Sequence, residues 1–107
     1  RGDGRAVSCA LARCESDKEH ARKIAVEALG RLANPGDRVA VCALGGRMQD
    51  ACAEVRRLAL AATARVADVG DELAVRFACQ RLEDQNADVR RSAVDVVGAV
   101  AAHGDKK

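Results

Sequence analysis

The chain has 107 residues, enough for one domain around one continuous core. Apolar residues make up 49% of it but aromatic residues only 1%, with Phe77 the single example, so Ala, Val and Leu must form thin layers of close helices rather than a deep globular centre. Eighteen Lys and Arg against 16 Asp and Glu leave a formal charge of +2, too weak a field either to demand or to exclude a nucleic-acid or membrane partner.

No apolar run approaches the roughly 18 residues that span a bilayer, and the N-terminus carries no signal-peptide pattern. The chain starts at Arg1 without an initiating Met, which reads as a processed product or a piece of something longer. Cys9, Cys14, Cys42, Cys52 and Cys79 form an odd set, mostly inside helical patterns. Free thiols in a reducing intracellular compartment, cytoplasm or organellar stroma alike, are the expectation.

Gly-Asp recurs at Gly2-Asp3, Gly36-Asp37, Gly70-Asp71 and Gly104-Asp105, each step being 34 residues. The 107 residues therefore divide into three ungapped units, 3–36, 37–70 and 71–104, within a single domain. Eight columns keep one residue type throughout: Asp3/Asp37/Asp71, Ala6/Ala40/Ala74, Val7/Val41/Val75, Arg13/Arg47/Arg81, Arg22/Arg56/Arg90, Ala25/Ala59/Ala93, Ala33/Ala67/Ala101 and Gly36/Gly70/Gly104.

In the first unit Asp3 suits a helix N-cap, and the pattern predicts a helix over 5–14 with Val7, Ala10, Leu11 and Cys14 inward. After a polar turn a second helix over 19–33 carries Ala21, Ile24, Ala25, Ala28, Leu29 and Leu32, and Pro35-Gly36 stops it. The second unit repeats this from Asp37, with a helix over 38–48 (Val41, Leu44, Gly45, Met48 inward) and another over 53–67 (Val55, Leu58, Ala59, Ala62, Val66). Gly45-Gly46 reads as a weak or kinked end of its first helix, each Gly costing about 1 kcal/mol against Ala. The third unit starts at Asp71, with helices over 72–82 (Val75, Ala78, Cys79, Leu82) and 87–102 (Val89, Ala93, Val96, Val97, Val100). Each closing Gly suits a left-handed C′ residue or a tight turn, and no stretch alternates with the period of two that a strand needs. The fold class is all-α. A helix pair of this size needs neighbours to cover its apolar face. Neither end is a polar cap, and Val94, Val96, Val97 and Val100 of the last helix call for further repeats or a partner.

The stretch Leu82-Glu83-Asp84-Gln85-Asn86-Ala87-Asp88-Val89-Arg90-Arg91-Ser92-Ala93 resembles the turn and second-helix start of HEAT and HEAT-like repeats: an Asp in the turn, then Val-Arg, then Ala three residues on. Asp50 with Val55-Arg56 and Ala59 repeats it. Ser16 and Asp17 with Ala21-Arg22 and Ala25 do so more loosely, and Ala28-Leu29-Gly30 is similar to the family's second-helix ending. The Pro common in the first helix of HEAT units is absent, so the resemblance is to the shorter HEAT-like class that includes phycobilisome-lyase-type repeats. The resemblance implies a right-handed α-solenoid of three tandem helix-turn-helix repeats. Tetratricopeptide repeats share the period but need Trp and Tyr positions, and this chain has neither.

A turn Asp six residues before an Arg can cap the second helix and meet the Arg of its own or a neighbouring unit. Asp50 with Arg56 and Asp84 with Arg90 are expected to form a charged ladder, with Arg22 in the same column, each partly exposed pair contributing about 0–1 kcal/mol.

Catalytic chemistry finds no footing in the residues. His20 and His103 fall in different columns. Deoxyhypusine hydroxylases, a HEAT-like group, hold iron through repeated His-Glu dyads, whereas here Glu19-His20 has the reverse order and no second dyad. No metal centre, catalytic residue or cofactor is expected. No Cys-x-x-Cys and no phosphate loop occur. Cys9 and Cys14 suit small core positions, and Cys52 is the one candidate for a reactive thiol, at an expected helix N-cap ahead of Arg56 and Arg57.

One surface row remains: Lys23, Arg57 and Arg91, with Arg31 and Arg65 further along the second helices, forming a basic ridge suited to an acidic peptide or a phosphate-bearing partner. Glu27 and Asp95 interrupt it and Ala61 leaves a gap. Arg13, Arg47 and Arg81 form a second row, read as surface. The expected function is a non-catalytic protein-interaction or scaffolding module within a larger array or assembly, its partner an acidic protein segment or flanking repeats, with no membrane insertion. The alternative is an accessory subunit of an enzyme, such as a bilin-lyase-like pigment-attachment factor. Nucleic-acid binding, as in the HEAT-like DNA glycosylases, lacks the aromatic stacking platform it needs.

Overall fold

The computed structural model describes residues 4–101. They form α1 (Gly4–Arg13), α2 (Glu19–Leu32), α3 (Arg38–Arg47), α4 (Ala53–Val66), α5 (Glu72–Gln80), a 3-10 turn (Arg81–Glu83) and α6 (Ala87–Ala101), with no strand among the described residues. The chain is all-α, and no described helix is long and apolar enough to cross a membrane. Asp3, His103 and Gly104 lie outside the described residues.

Side-chain caps start α3 and α5. The Asp37 carboxylate accepts hydrogen bonds from the amides of Val39 and Ala40 at 3.0 and 3.2 Å, and Asp71 accepts from Leu73 and Ala74 at 3.0 and 3.1 Å. Each cap contributes about 1 kcal/mol by satisfying amides that have no intrahelical acceptor. Asn86 does the same for α6, taking the amides of Asp88 and Val89. Of the two readings of the closing glycines, the tight turn holds. The C-caps are Ala33 and Ala67 in extended backbone, while Gly36 and Gly70 sit directly before the next N-cap with φ of 79° and 87°. A Cβ is strained at that φ, and Gly is not. Their amides donate to the carbonyls of Val66 (2.6 Å) and Val100 (2.7 Å), so each turn is tied to the end of the following unit's second helix.

Helices pair within units as α1–α2, α3–α4 and α5–α6, and the second helices pack in a row, α2 on α4 and α4 on α6, with α3 also on α5. The result is a slab of 39 × 31 × 15 Å. Its thinness follows from small contact residues: a Cβ built on Gly30 would lie 3.0 Å from the Ala62 Cβ, so α2 and α4 approach where neither has bulk.

Burial follows position in the row. Ala25, Ala59 and Ala93 are core, as are Leu29, Leu44, Met48, Val55, Val66, Val89, Val96 and Val100. Val26 and Leu60 are also fully buried, a second stripe beyond the expected one, because α4 covers α2 and α6 covers α4. Val94 occupies their column but is 59% exposed, since no described helix follows α6. Several burial expectations fail. Cys79 and Leu82 (37% exposed) were assigned to the core but lie on the uncovered side of the last unit, and Ile24 (55% exposed) lies on that of the first. Val96 and Val100 of α6 are buried against this chain rather than left open.

Gly45-Gly46 lies in the last turn of α3, which continues through both and ends at Arg47. Gly45 is buried, and a Cβ built there would fall 2.2 to 2.5 Å from three atoms of the Phe77 ring. The single aromatic side chain of the protein therefore needs the missing Cβ to seat α5 against α3.

Candidate interaction surface

The turn aspartates and second-helix arginines form a ladder between units. Arg22 donates from Nε to Asp50 Oδ2 at 2.7 Å and from Nη2 to Oδ1 at 3.0 Å, across 28 residues. Arg56 repeats this on Asp84 at 2.8 and 3.0 Å, again across 28 residues. The third donor turns home: Nη1 of Arg22, Arg56 and Arg90 reaches the carbonyls of Ser16 (3.0 Å), Asp50 (2.7 Å) and Asp84 (2.7 Å). The expected pairing of Asp50 with Arg56 and Asp84 with Arg90 is thus realised only through backbone oxygens. Each carboxylate goes to the Arg of the preceding unit, and the planar guanidinium fork makes both contacts at once.

The ladder is also more buried than expected. The Asp50 and Asp84 side chains are 2% and 3% exposed. Each takes two further donors: Arg47 and the Cys52 amide for Asp50, Arg81 and the Asn86 amide for Asp84. Burial alone pushes both carboxyls up. The Arg22 and Arg56 hydrogen bonds, the two amides and the neighbouring guanidinium charges outweigh it, and both end below the usual carboxylate value. Arg47 and Arg81 are therefore braces of the ladder and not a surface row, although the Nε of each is buried without a partner. Their three-residue spacing to the turn Asp was the readable signal. Arg13 is exposed, with Ser16 standing where the Asp would be.

The basic ridge is largely neutralised. Lys23 pairs with Glu19 at 3.2 Å, Arg57 with Glu54, and Arg91 with Asp88 at 3.3 Å, each within its own helix. Three of the five expected partner-binding cations thus sit beside a carboxylate one turn back, a pattern the sequence carried at i−4 or i−3. Arg31 and Arg65 are exposed and have no ion pair among the described residues. They flank a shallow groove between α2 and α4 lined by Gly30, Leu58, Ala61 and Ala62, with Glu27 on its rim.

Cys52 is at the N-cap of α4 as expected, half-buried, but its side chain makes no cap bond. The Cys52 side chain, with Lys23, instead helps hold the Glu19 carboxyl of the preceding unit below its usual value. Arg56 and Arg57, expected to activate it, are engaged by Asp84 and Glu54. Among the other cysteines Cys14 is buried, its thiol pushed up by burial, whereas Cys9, expected in the core, is exposed together with Cys42 and Cys79.

His20 is exposed on the rim of an apolar groove over α1 and α2 whose floor includes Ala6, Cys9, Ala21, Ile24 and Ala28. Among the described residues no three His, Cys, Asp or Glu side chains gather as a metal-holding group. Set beside known proteins, the chain matches no family model and no curated protein.

Proposed function

We propose that the chain is a HEAT-like α-solenoid of three 34-residue repeats, right-handed by resemblance, that serves as a non-catalytic protein-interaction or scaffolding module. The observation that supports this reading most strongly is the ladder: two successive Arg-to-Asp contacts of the same span and near-equal length, each repeating the same three-way use of the guanidinium. A rigid row of second helices is what such contacts hold in register, and stacked repeats of this kind present an extended surface. Within that surface the groove between α2 and α4 is the preferred docking place, because Arg31 and Arg65 are the ridge cations free to meet an acidic segment.

The test is affinity capture with the intact chain, followed by mass spectrometry and quantified binding of the captured protein. Arg31→Glu with Arg65→Glu should abolish retention without altering helicity. Retention unchanged by that charge reversal, or no retained protein at all, would contradict the reading.

A further inference from the structure

We infer that the outer face of α6 is a docking site for a helical protein segment that presents an aspartate from the turn ahead of an Ala- and Val-rich helix, the chemistry that α4 and α6 present to the units before them. This rests on the reading of the chain as a protein-binding array, and it names a second surface, away from the α2–α4 groove.

Arg90 is preset for such a ligand. Its Nη1 is anchored on the Asp84 and Gln85 carbonyls at 2.7 and 3.1 Å, as Arg56 is anchored on Asp50 and Ala51 at 2.7 and 3.2 Å. In Arg22 and Arg56 that anchoring leaves Nε and Nη2 to grip a carboxylate of the next unit. In Arg90 both are without a partner among the described residues, and the residue is exposed.

The apolar surroundings repeat the same logic. Val26 and Leu60 are fully buried by the next unit, and Val94 in that column is 59% exposed. Cys14 and Met48 are buried at 0% and 1%, and Leu82 in that column is 37% exposed. A bidentate carboxylate site flanked by two uncovered aliphatic side chains selects a partner with both features.

A second copy of this chain lacks one of them. Its leading face carries Ser16 where the later units carry Asp50 and Asp84, so head-to-tail stacking would leave Arg90 facing a hydroxyl. Ser16 nevertheless keeps the turn: its Oγ accepts from the Lys18 amide at 3.0 Å, as Asp50 and Asp84 accept from Cys52 and Asn86 at 2.9 Å. Ser16→Asp therefore installs the missing carboxylate on a turn already shaped for it, which supplies a probe.

The experiment mixes the 107-residue chain with its Ser16→Asp/Arg90→Gln variant, whose leading face is acidic and whose trailing face is disabled. Analytical ultracentrifugation should show a one-to-one complex, bound about tenfold or more tighter than the same variant binds an Arg90→Gln chain. Val94→Asp in the unaltered chain should abolish it. Equal binding in the two mixtures, no complex in either, or equally tight association of the unaltered chain with itself would each overturn the inference. Circular dichroism of every variant separates loss of binding from loss of fold. Arg31 and Arg65 are unaltered throughout, so failure here is distinct from failure of the groove between α2 and α4.

Discussion

Replacing Gly45 with Ala puts a methyl group into the Phe77 ring. The built Cβ lies 2.2, 2.4 and 2.5 Å from Cε2, Cδ2 and Cζ, more than 1 Å inside ordinary carbon contact. In a helix the same change gains about 1 kcal/mol of propensity, while overpacking costs about 1–3 kcal/mol. The net expectation is a destabilisation of about 0–2 kcal/mol. Gly46→Ala is the internal control, because a Cβ there meets nothing within 4 Å, and it should stabilise by about 1 kcal/mol. With no Trp or Tyr in the chain, urea unfolding is best followed by far-ultraviolet circular dichroism. In a Phe77→Ala background the clash is gone, and Gly45→Ala should then stabilise about as much as Gly46→Ala. If the two glycine substitutions stabilise equally with Phe77 in place, the ring is not seated on Gly45 and this account of the α3–α5 contact is wrong.

Other outcomes follow from the same structure. The Asp50 and Asp84 carboxyls are held below the ordinary value of 3.8, so their contribution is complete above that value and is lost as pH falls through the lower folded values. Asp50→Asn/Asp84→Asn should therefore be less stable than the parent at neutral pH, yet lose stability less steeply below about pH 4 in acid titrations followed by circular dichroism. Gly98→Ala, at an exposed and open position of α6, should raise the urea midpoint by the equivalent of about 0.5–1 kcal/mol. Thiol labelling of the native chain should modify Cys9, Cys42 and Cys79 rapidly and Cys14 only on unfolding, read by peptide mass spectrometry; rapid labelling of Cys14 would contradict its burial.

Much of the fold was legible because local chemistry repeats. Asp37 and Asp71 cap the helices that the Gly-Asp steps predict, and the second helices start at Glu19, Ala53 and Ala87 as the stripes require. The direction of the ladder was not legible. Arg56 is six residues from Asp50 and 28 from Asp84, the first spacing recurring at Arg90 and the second at Arg22, so only the stacking shows that the carboxylate comes from the next unit. Cys79, Leu82 and Ile24 were misplaced for a related reason. Their periodicity is that of a core, but their burial depends on a neighbour that the first and last units lack on one side. The packing role of Gly45 was not legible because helix propensity describes that residue alone, whereas its reason is a ring 32 residues away in sequence. The ridge was overestimated by reading its cations without the acids one turn earlier, Glu19, Glu54 and Asp88.

The ladder underlies the proposed repeat array, the proposed binding surface and the proposed trailing-face site. A double-mutant cycle on urea-unfolding free energies with Arg56→Gln, Asp84→Asn and Asp50→Asn measures it directly. A coupling of about 1–3 kcal/mol is expected between Arg56 and Asp84, as for buried charged hydrogen bonds. Less than about 0.5 kcal/mol is expected between Arg56 and Asp50, whose contact is through a backbone carbonyl that the substitution keeps. A larger coupling for Arg56 with Asp50 than with Asp84 would overturn the pairing.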